Sequence, residues 1–314
     1  MFEAQTEWIA PDNFPDLSGY KLIAIDLETR DPDLKSKGSG AVIGNGEIIG
    51  IAVAVDGWCK YYPFGHEGGG NLDKKRILEW IKAVCATEAT KIFHNAMYDV
   101  CWLRSYGIKI NGHIMDTMVM ASLVDENRMR YTLNALSWEY LGERKSEATL
   151  FEIAKNWGID PKAELYKLPA IYVGEYAEKD ASLTLDLFKR LSSEIRKDNL
   201  TEIFDLETQL FPCLVDMRFK GVRVDVEQAH LLKQKLLAQE KGLLQEIKKE
   251  TQIDAQIWAA RSIATVFDKL KLPYKRTEKQ MPHHLLKIFF KNMNILWLKK
   301  LQKLEKLIKL IQHS

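Results

Sequence analysis

Asp26 and Glu28 stand two apart in Ala24-Ile25-Asp26-Leu27-Glu28-Thr29. Asp99 closes His94-Asn95-Ala96-Met97-Tyr98-Asp99, and Asp180 ends Tyr176-Ala177-Glu178-Lys179-Asp180. Each of these carboxylates falls where the chain otherwise reads as buried core. Carboxylates buried together repel one another and lose their hydration at high cost unless positive charge compensates. A divalent cation, which prefers hard oxygen ligands, supplies that charge. Four acidic side chains around such cations form the layout of a two-metal phosphodiester hydrolase.

Spacing supports the grouping. Residues two apart on a strand share a face, so Asp26 and Glu28 point the same way, with Thr29 near the strand's end. A lone Asp-x-Glu is far more often a solvated strand edge, but here the apolar run before Asp26 argues against an edge. Asn95 and Asp99 could be no more than a helix-capping pair. Against that stand the neighbours of Asp99, which are Tyr98, Val100, Cys101 and Trp102. Tyr176 and Asp180 are four apart, one above the other on a helix. Asp180 interrupts a core-facing row of Val173, Ala177, Ala181, Thr184, Leu187 and Leu191, whereas Glu178 and Lys179 point elsewhere. His66, His94 and His113 lack close His or Cys partners and read as structural.

Strands and helices must position these groups. Lys21–Asp26 reads as a buried strand, residues 30–46 as a long loop, and Ile48–Val55 with Trp58–Pro63 as a hairpin turning at Asp56-Gly57. Leu72–Cys85 is helical, Lys91–His94 a fourth strand, Met97–Ser105 a helix, and Ile114 ends a short fifth strand. Asp116 is a plausible N-cap for a helix at Thr117–Val124, and Val173–Ile195 is one long helix. The expected fold class is α/β, a mixed five-stranded sheet with helices on both faces. Past residue 200 strand signals vanish, and Leu200–Lys220 and Val226–Glu250 read as helices around Gly221. Gly68-Gly69-Gly70 and the 38–46 loop lack the GK[ST] ending of a phosphate loop and read simply as loops.

Bulk properties narrow the class further. With 314 residues, 46% of them apolar and 28% charged, the chain reads as a soluble globular protein of two domains. No apolar run approaches a transmembrane length, and the start shows no secretory signal. Cys59, Cys85, Cys101 and Cys213 are too scattered for CxxC pairing, so free thiols in a reducing, cytoplasmic setting are expected. Residues 1–210 hold 24 Lys+Arg against 33 Asp+Glu, a net of −9, and residues 211–314 hold 21 against 10, a net of +11. A basic half beside an acidic half suits a polyanionic substrate.

The three stretches together, in this order, resemble the DEDDy 3′→5′ exonucleases, specifically the proofreading domain of family A DNA polymerases. The similarity covers roughly Tyr20–Leu191, and Asp116-Thr117-Met118 matches a further short segment of that family. The resemblance implies a ribonuclease-H-like fold and two Mg²⁺ ions, with Mn²⁺ able to substitute. It implies that Asp26 bridges both ions, that Glu28 and Asp180 complete the tighter site, and that Asp99 holds the second ion. Tyr176, helped by Glu28, would orient the attacking water. Thr29 and Asn95, within the first two motifs, are the expected substrate contacts.

Similarity continues past the exonuclease. Leu206 to Leu214, Met217 and Gly221-Val222-x-Val224-Asp225 resemble the segment that opens the polymerase portion, and Ala264–Lys279 resembles the thumb. Pro282–Ser314 then departs from the pattern: it is rich in Leu, Ile, Lys and Asn, and Glu305 is its only acid. No Val-His-Asp-Glu or Asp-Tyr-Ser-Gln-Ile-Glu palm motif occurs. The expectation is an exonuclease domain at 1–196, a helical thumb-like extension at 197–281, and an atypical basic amphipathic tail at 282–314. A shifted reading frame near Met281 would account for the tail, and a split polymerase or a genuine short protein are the competing accounts. The expected activity is metal-dependent removal of nucleoside 5′-monophosphates from single-stranded DNA 3′ ends, without polymerisation. A separate polymerase chain is a conceivable partner. The alternatives are a ribonuclease-D-like nuclease trimming RNA 3′ ends and a non-catalytic DNA-binding or polymerase-partner subunit.

Overall fold

In the computed structural model, which describes residues 6–143, 148–161, 163–256 and 259–271, the chain folds around a five-stranded sheet. The strands are β1 (Leu22–Arg30), β2 (Glu47–Val55), β3 (Trp58–Pro63), β4 (Thr90–Phe93) and β5 (Ile114–Asp116), in the order β3-β2-β1-β4-β5. The hairpin side is antiparallel, and β1, β4 and β5 run parallel. This is the mixed α/β sheet expected, with a helical part following it.

The pleat of β1 sorts the two faces. Ile23, Ile25 and Leu27 bury into one layer with α2 (Lys74–Ala86) and α3 (Ala96–Ser105). Ala24, with Ala52 and Ala54 of β2, buries into the other layer, which α7 (Gly174–Lys197) covers with Ala177 and Ala181. Alanines on both surfaces let helix and sheet approach closely. By the alternation of side chains along a strand, Asp26 and Glu28 extend the Ala24 face, the one that α7 covers.

Strand β1 runs four residues beyond the Asp26 end read from sequence. Its pairing with β2 carries on to Arg30 opposite Glu47, so backbone pairing draws in Glu28, Thr29 and Arg30 despite their polarity. Register shifts between Glu28, paired with Gly50, and Thr29, paired with Ile48. Ile49 is the extra residue, and such a bulge increases local twist beside the strand's polar end. The loop after β1 contains one short helix, α1 (Gly40–Ile43), that the sequence pattern did not reveal.

Beyond α3 the chain forms α4 (Thr117–Val124), α5 (Leu133–Leu141) and α6 (Ala148–Trp157). Two single 3₁₀ turns at Leu165–Lys167 and Ala170–Tyr172 then lead into α7. Helix α8 (Thr201–Lys220) buries Phe211 and Val215 in the same layer as α2 and α3. The chain divides into two compact units, Met1–Gly221 and Val222–Ser314. In the second unit, α9 (Val226–Thr251) is capped by the Asp225 carboxylate, which accepts the Gln228 N–H at 2.9 Å. Ile247 of this helix shares a small core with Ala255 and with Val266 and Phe267 of α10 (Ala260–Lys269). The thumb-like residues after Lys271 and the amphipathic tail Pro282–Ser314 lie outside the described residues. No helix among the described residues is long and apolar enough to cross a membrane.

Candidate active site

Asp26, Glu28 and Asp180 offer carboxylate oxygens that all lie within 4.8 Å of one another. Strand β1 supplies the first two and the covering face of α7 supplies the third. Asp180 is 5% exposed, while Asp26 and Glu28 are half-buried and open toward solvent.

Asp99 joins them through backbone geometry. Pairing of β1 with β4 ends at Ala24, because β4 stops at Phe93 and the chain turns into α3. The next free backbone donor on that edge, Leu27 N–H, is taken by the Asp99 carboxylate at 3.1 Å. Asp99 in the first turn of α3 therefore substitutes for the missing strand and lies against the Asp26-Leu27-Glu28 backbone. It is 5% exposed. Burial, and next the negative charge of Asp26, hold its carboxyl well above the usual carboxylate range, against the lowering pull of the Leu27 N–H.

Tyr176 sits one turn before Asp180 on α7. Burial pushes its hydroxyl far above the ordinary tyrosine range, and the negative charges of Asp180, Glu28 and Asp26 push it further. It is a neutral hydroxyl facing a cluster of acids. Glu178, between the two, turns away: it accepts the Trp8 Nε1–H at 2.8 Å and the Tyr61 N–H at 3.2 Å.

Thr29 and Asn95 flank the cluster. Tyr98 Oη donates to Asp31 at 3.1 Å, so its 2.7 Å contact with Thr29 must be donated by Thr29 Oγ1, whose lone pairs remain available to accept. Asn95 is exposed and adopts a left-handed conformation, φ 67° and ψ 52°, as the N-cap of α3. Its side chain makes no capping bond. The orphan amides of the helix go instead to Asp116, whose carboxylate accepts from Asn95 N at 3.0 Å, Ala96 N at 2.8 Å and Met118 N at 2.8 Å. One carboxylate thus caps both α3 and α4. Asp116 was legible as a cap for the second helix only; its bond to the first joins residues 20 apart. The Tyr98 link likewise crosses 69 residues and has no local sequence signal.

The donor set tests whether metal suits the site. Carboxylate oxygens in a half-buried cluster, two of them 5% exposed, are the hard ligands that Mg²⁺ and Mn²⁺ take. No histidine belongs to the cluster among the described residues. His66 bonds Tyr61 and the Leu168 carbonyl, and His94 bonds Thr117 and the Tyr131 carbonyl.

Known proteins resemble this chain in sequence and in fold. The family model described as 3′-5′ exonuclease matches residues 5–196. A DNA-directed DNA polymerase of Pseudomonas phage M6 is 32% identical over 288 residues, covering 88% of this chain and 43% of that protein. DNA polymerase DpoZ of Salmonella phage PMBT28 is 29% identical over 224 residues, covering 69% and 33% respectively. DNA polymerase I of Chloroflexus aurantiacus is 27% identical over 182 residues, covering 57% and 19%. Among solved structures, the POL domain of Pol1 from M. smegmatis, in complex with DNA primer-template and dNTP, shares the fold. Its TM-score is 0.62 at 17% identity, covering 94% of this chain and 46% of that one. The chain spans less than half the length of these relatives.

Proposed function

The chain belongs to the 3′-5′ exonuclease family found in family A DNA polymerases, and from that premise we propose that it trims single-stranded DNA from the 3′ end in a proofreading role, releasing nucleoside 5′-monophosphates. The observation that carries this reading is the convergence of Asp26, Glu28 and Asp180 within 4.8 Å, with Asp99 bonded to the same strand.

Asp26, Glu28 and Asp180 would hold one divalent ion, and Asp26 with Asp99 a second. When bound, the ions would supply a lowered water pKa and a charge clamp on the scissile phosphate. The protein's own groups do the rest. Tyr176, held neutral by burial and by its acidic surroundings, orients the attacking water by hydrogen bonding, with Glu28 as the nearby acceptor. Thr29 accepts from the terminal sugar hydroxyl, and Asn95 offers its exposed amide to the strand. The relatives are DNA polymerases, which favours DNA over RNA. Within these 314 residues no palm carboxylates occur, so the chain alone is not expected to extend a primer.

The test is incubation of the purified chain with 5′-labelled single-stranded DNA and matched RNA, with Mg²⁺ or EDTA. The expected outcome is a 3′→5′ ladder on DNA that EDTA abolishes and that Asp26→Ala nearly eliminates. Faster cleavage of RNA would favour the ribonuclease-D-like alternative. A wild-type chain that cuts neither polymer, or an Asp26→Ala chain that trims at the wild-type rate, would overturn the reading.

A further inference from the structure

The turn that carries Gly68-Gly69-Gly70 is bound to the segment that delivers α7. Glu67 N donates to the Tyr166 carbonyl at 2.8 Å, and Ala170 N donates to the Gly69 carbonyl at 3.0 Å. Gly68 lies so close that a Cβ there would fall 2.4 Å from Pro169 N and 2.7 Å from the Leu168 carbonyl carbon.

Between these bonds lies His66, 3% exposed. Its Nδ1 is 2.9 Å from the Leu168 carbonyl and its Nε2 is 2.7 Å from Tyr61 Oη. A carbonyl only accepts, so Nδ1 carries a proton. Burial lowers His66 to about 4, so the ring is neutral at working pH and Nε2 must accept. The chain of donors is therefore fixed: Tyr61 O–H to His66 Nε2, and His66 Nδ1–H to Leu168 O.

Tyr61 reaches from this chain to the carboxylates. On the sheet it pairs with Ala52, which pairs with Asp26. Its hydroxyl fills the space beside Gly50, where a Cβ would lie 2.0 Å away, and Gly50 is the ladder partner of Glu28. The negative charges of Glu28 and Asp26 register at the Tyr61 hydroxyl, second to its burial.

A path of strand pairing from Asp26 through Ala52 to Tyr61, and then of hydrogen bonds from Tyr61 through His66 to the Leu168 carbonyl, thus runs from the β1 pair to the residues just before α7. We propose that Tyr61 and His66 are positioning residues that fix the separation between the β1 pair Asp26/Glu28 and the α7 pair Tyr176/Asp180, and so set the affinity of the carboxylate cluster for divalent metal. Three carboxylates on two elements bind one ion well only if those elements keep their spacing. Groups behind a metal's ligands that fix the ligands' placement commonly govern affinity, and Tyr61 and His66 would do so by holding the two elements rather than by bonding a ligand. The inference rests on the reading of these carboxylates as a metal site.

The experiment compares the wild-type full chain with Tyr61→Phe, His66→Gln, Gly68→Ala and a control, Val84→Ala. The control opens a cavity in the sheet's other layer. Mn²⁺ binding is measured by calorimetry at a temperature where circular dichroism shows every chain folded, beside steady-state cleavage across a metal titration. Tyr61→Phe and His66→Gln should each weaken Mn²⁺ binding by up to about tenfold, the low end of the loss when a partner bonded directly to a ligand is removed, because these two act one step further from the ligands. Their kcat should fall at limiting metal and recover at saturating metal, with KM for the oligonucleotide unchanged. Gly68→Ala, which wedges the turn from Pro169, should behave alike, and Val84→Ala should bind as wild type. Wild-type Mn²⁺ affinity in both folded Tyr61→Phe and His66→Gln would overturn the inference, as would an equal loss in Val84→Ala. A wild-type chain that binds Mn²⁺ without cleaving DNA would remove the nuclease reading and leave the binding comparison to decide the positioning role. A wild-type chain that binds no Mn²⁺ would overturn both.

Discussion

Asp99 ties the chemistry of the site to the stability of the metal-free protein. Its carboxyl is raised by burial and by Asp26, so above the ordinary carboxylate range the folded chain holds a proton that the unfolded chain has released. Stability attributable to Asp99 therefore falls as pH rises from about 4 toward the raised value. His66 works in the opposite direction. Lowered to about 4 by burial, it costs the folded state about 3 kcal/mol as pH drops from 6.5 to 4, because only the unfolded chain readily takes the proton. In EDTA at pH 8, Asp99→Asn should melt at a higher temperature than wild type. Saturating Mg²⁺ should raise the wild-type midpoint more than the variant's, since ligand bound to the folded state alone stabilises it. Below pH 6.5 the variant should show the His66 trend without the opposing one. Thermal scans across pH with and without Mg²⁺ check all three, and an Asp99→Asn midpoint below wild type at pH 8 in EDTA would contradict the assignment. Tyr176→Phe separates roles in another way. It should slow cleavage by roughly tenfold to a hundredfold while leaving Mn²⁺ binding close to wild type, and equal rates at saturating metal would make Tyr176 an ordinary core aromatic. These acids were legible in the sequence because an acid in apolar company is costly unless compensated. Tyr61 and His66 were not, since a buried tyrosine and histidine look like ordinary core until their partners, up to 102 residues away, are known.

At the scale of elements, the site is built from ends: β4 ends, α3 begins, and α7 lies across the polar end of β1. The long helices were readable from periodicity, and α7 and α8 fall within two residues of their expected limits at each end. The polar extension of β1 was not readable, because Glu28, Thr29 and Arg30 become strand only by pairing with β2. Asn95 illustrates the same limit: its left-handed backbone is bonded to Asp116, 21 positions away. Two substitutions probe this joint. Asp116→Ala removes the acceptor for three backbone amides at two helix starts and should cost about 2 kcal/mol or more by denaturant titration. Asn95→Gly suits the same φ without strain, so stability should change by less than about 1 kcal/mol. If the Asn95 amide meets the strand, the glycine variant should nonetheless raise KM for single-stranded DNA. Unchanged KM would remove Asn95 from the substrate contacts.

Across the whole molecule, charge and fold divide at nearly the same place. Every proposed ligand lies before residue 181, and the unit that contains them closes at Gly221. Residues 222–314 carry 19 Lys+Arg against 9 Asp+Glu, a surplus with no counterpart in the acidic first part. If that surplus serves to hold the DNA backbone, its effect belongs in KM and in salt dependence, not in the chemical step. Each phosphate held on a single strand adds about 0.7 to the slope of log affinity against log salt. A chain ending at Gly221 should therefore keep kcat on a short single strand within about twofold. Its salt slope should become shallower by about 2 for every three phosphates that the shortened chain no longer holds. Steady-state kinetics of both chains on one oligonucleotide at several NaCl concentrations decide the matter. Equal slopes would assign the basic half to something other than the strand being cut. A collapse of kcat at saturating DNA in a chain still folded by circular dichroism would show instead that residues beyond Gly221 complete the active site.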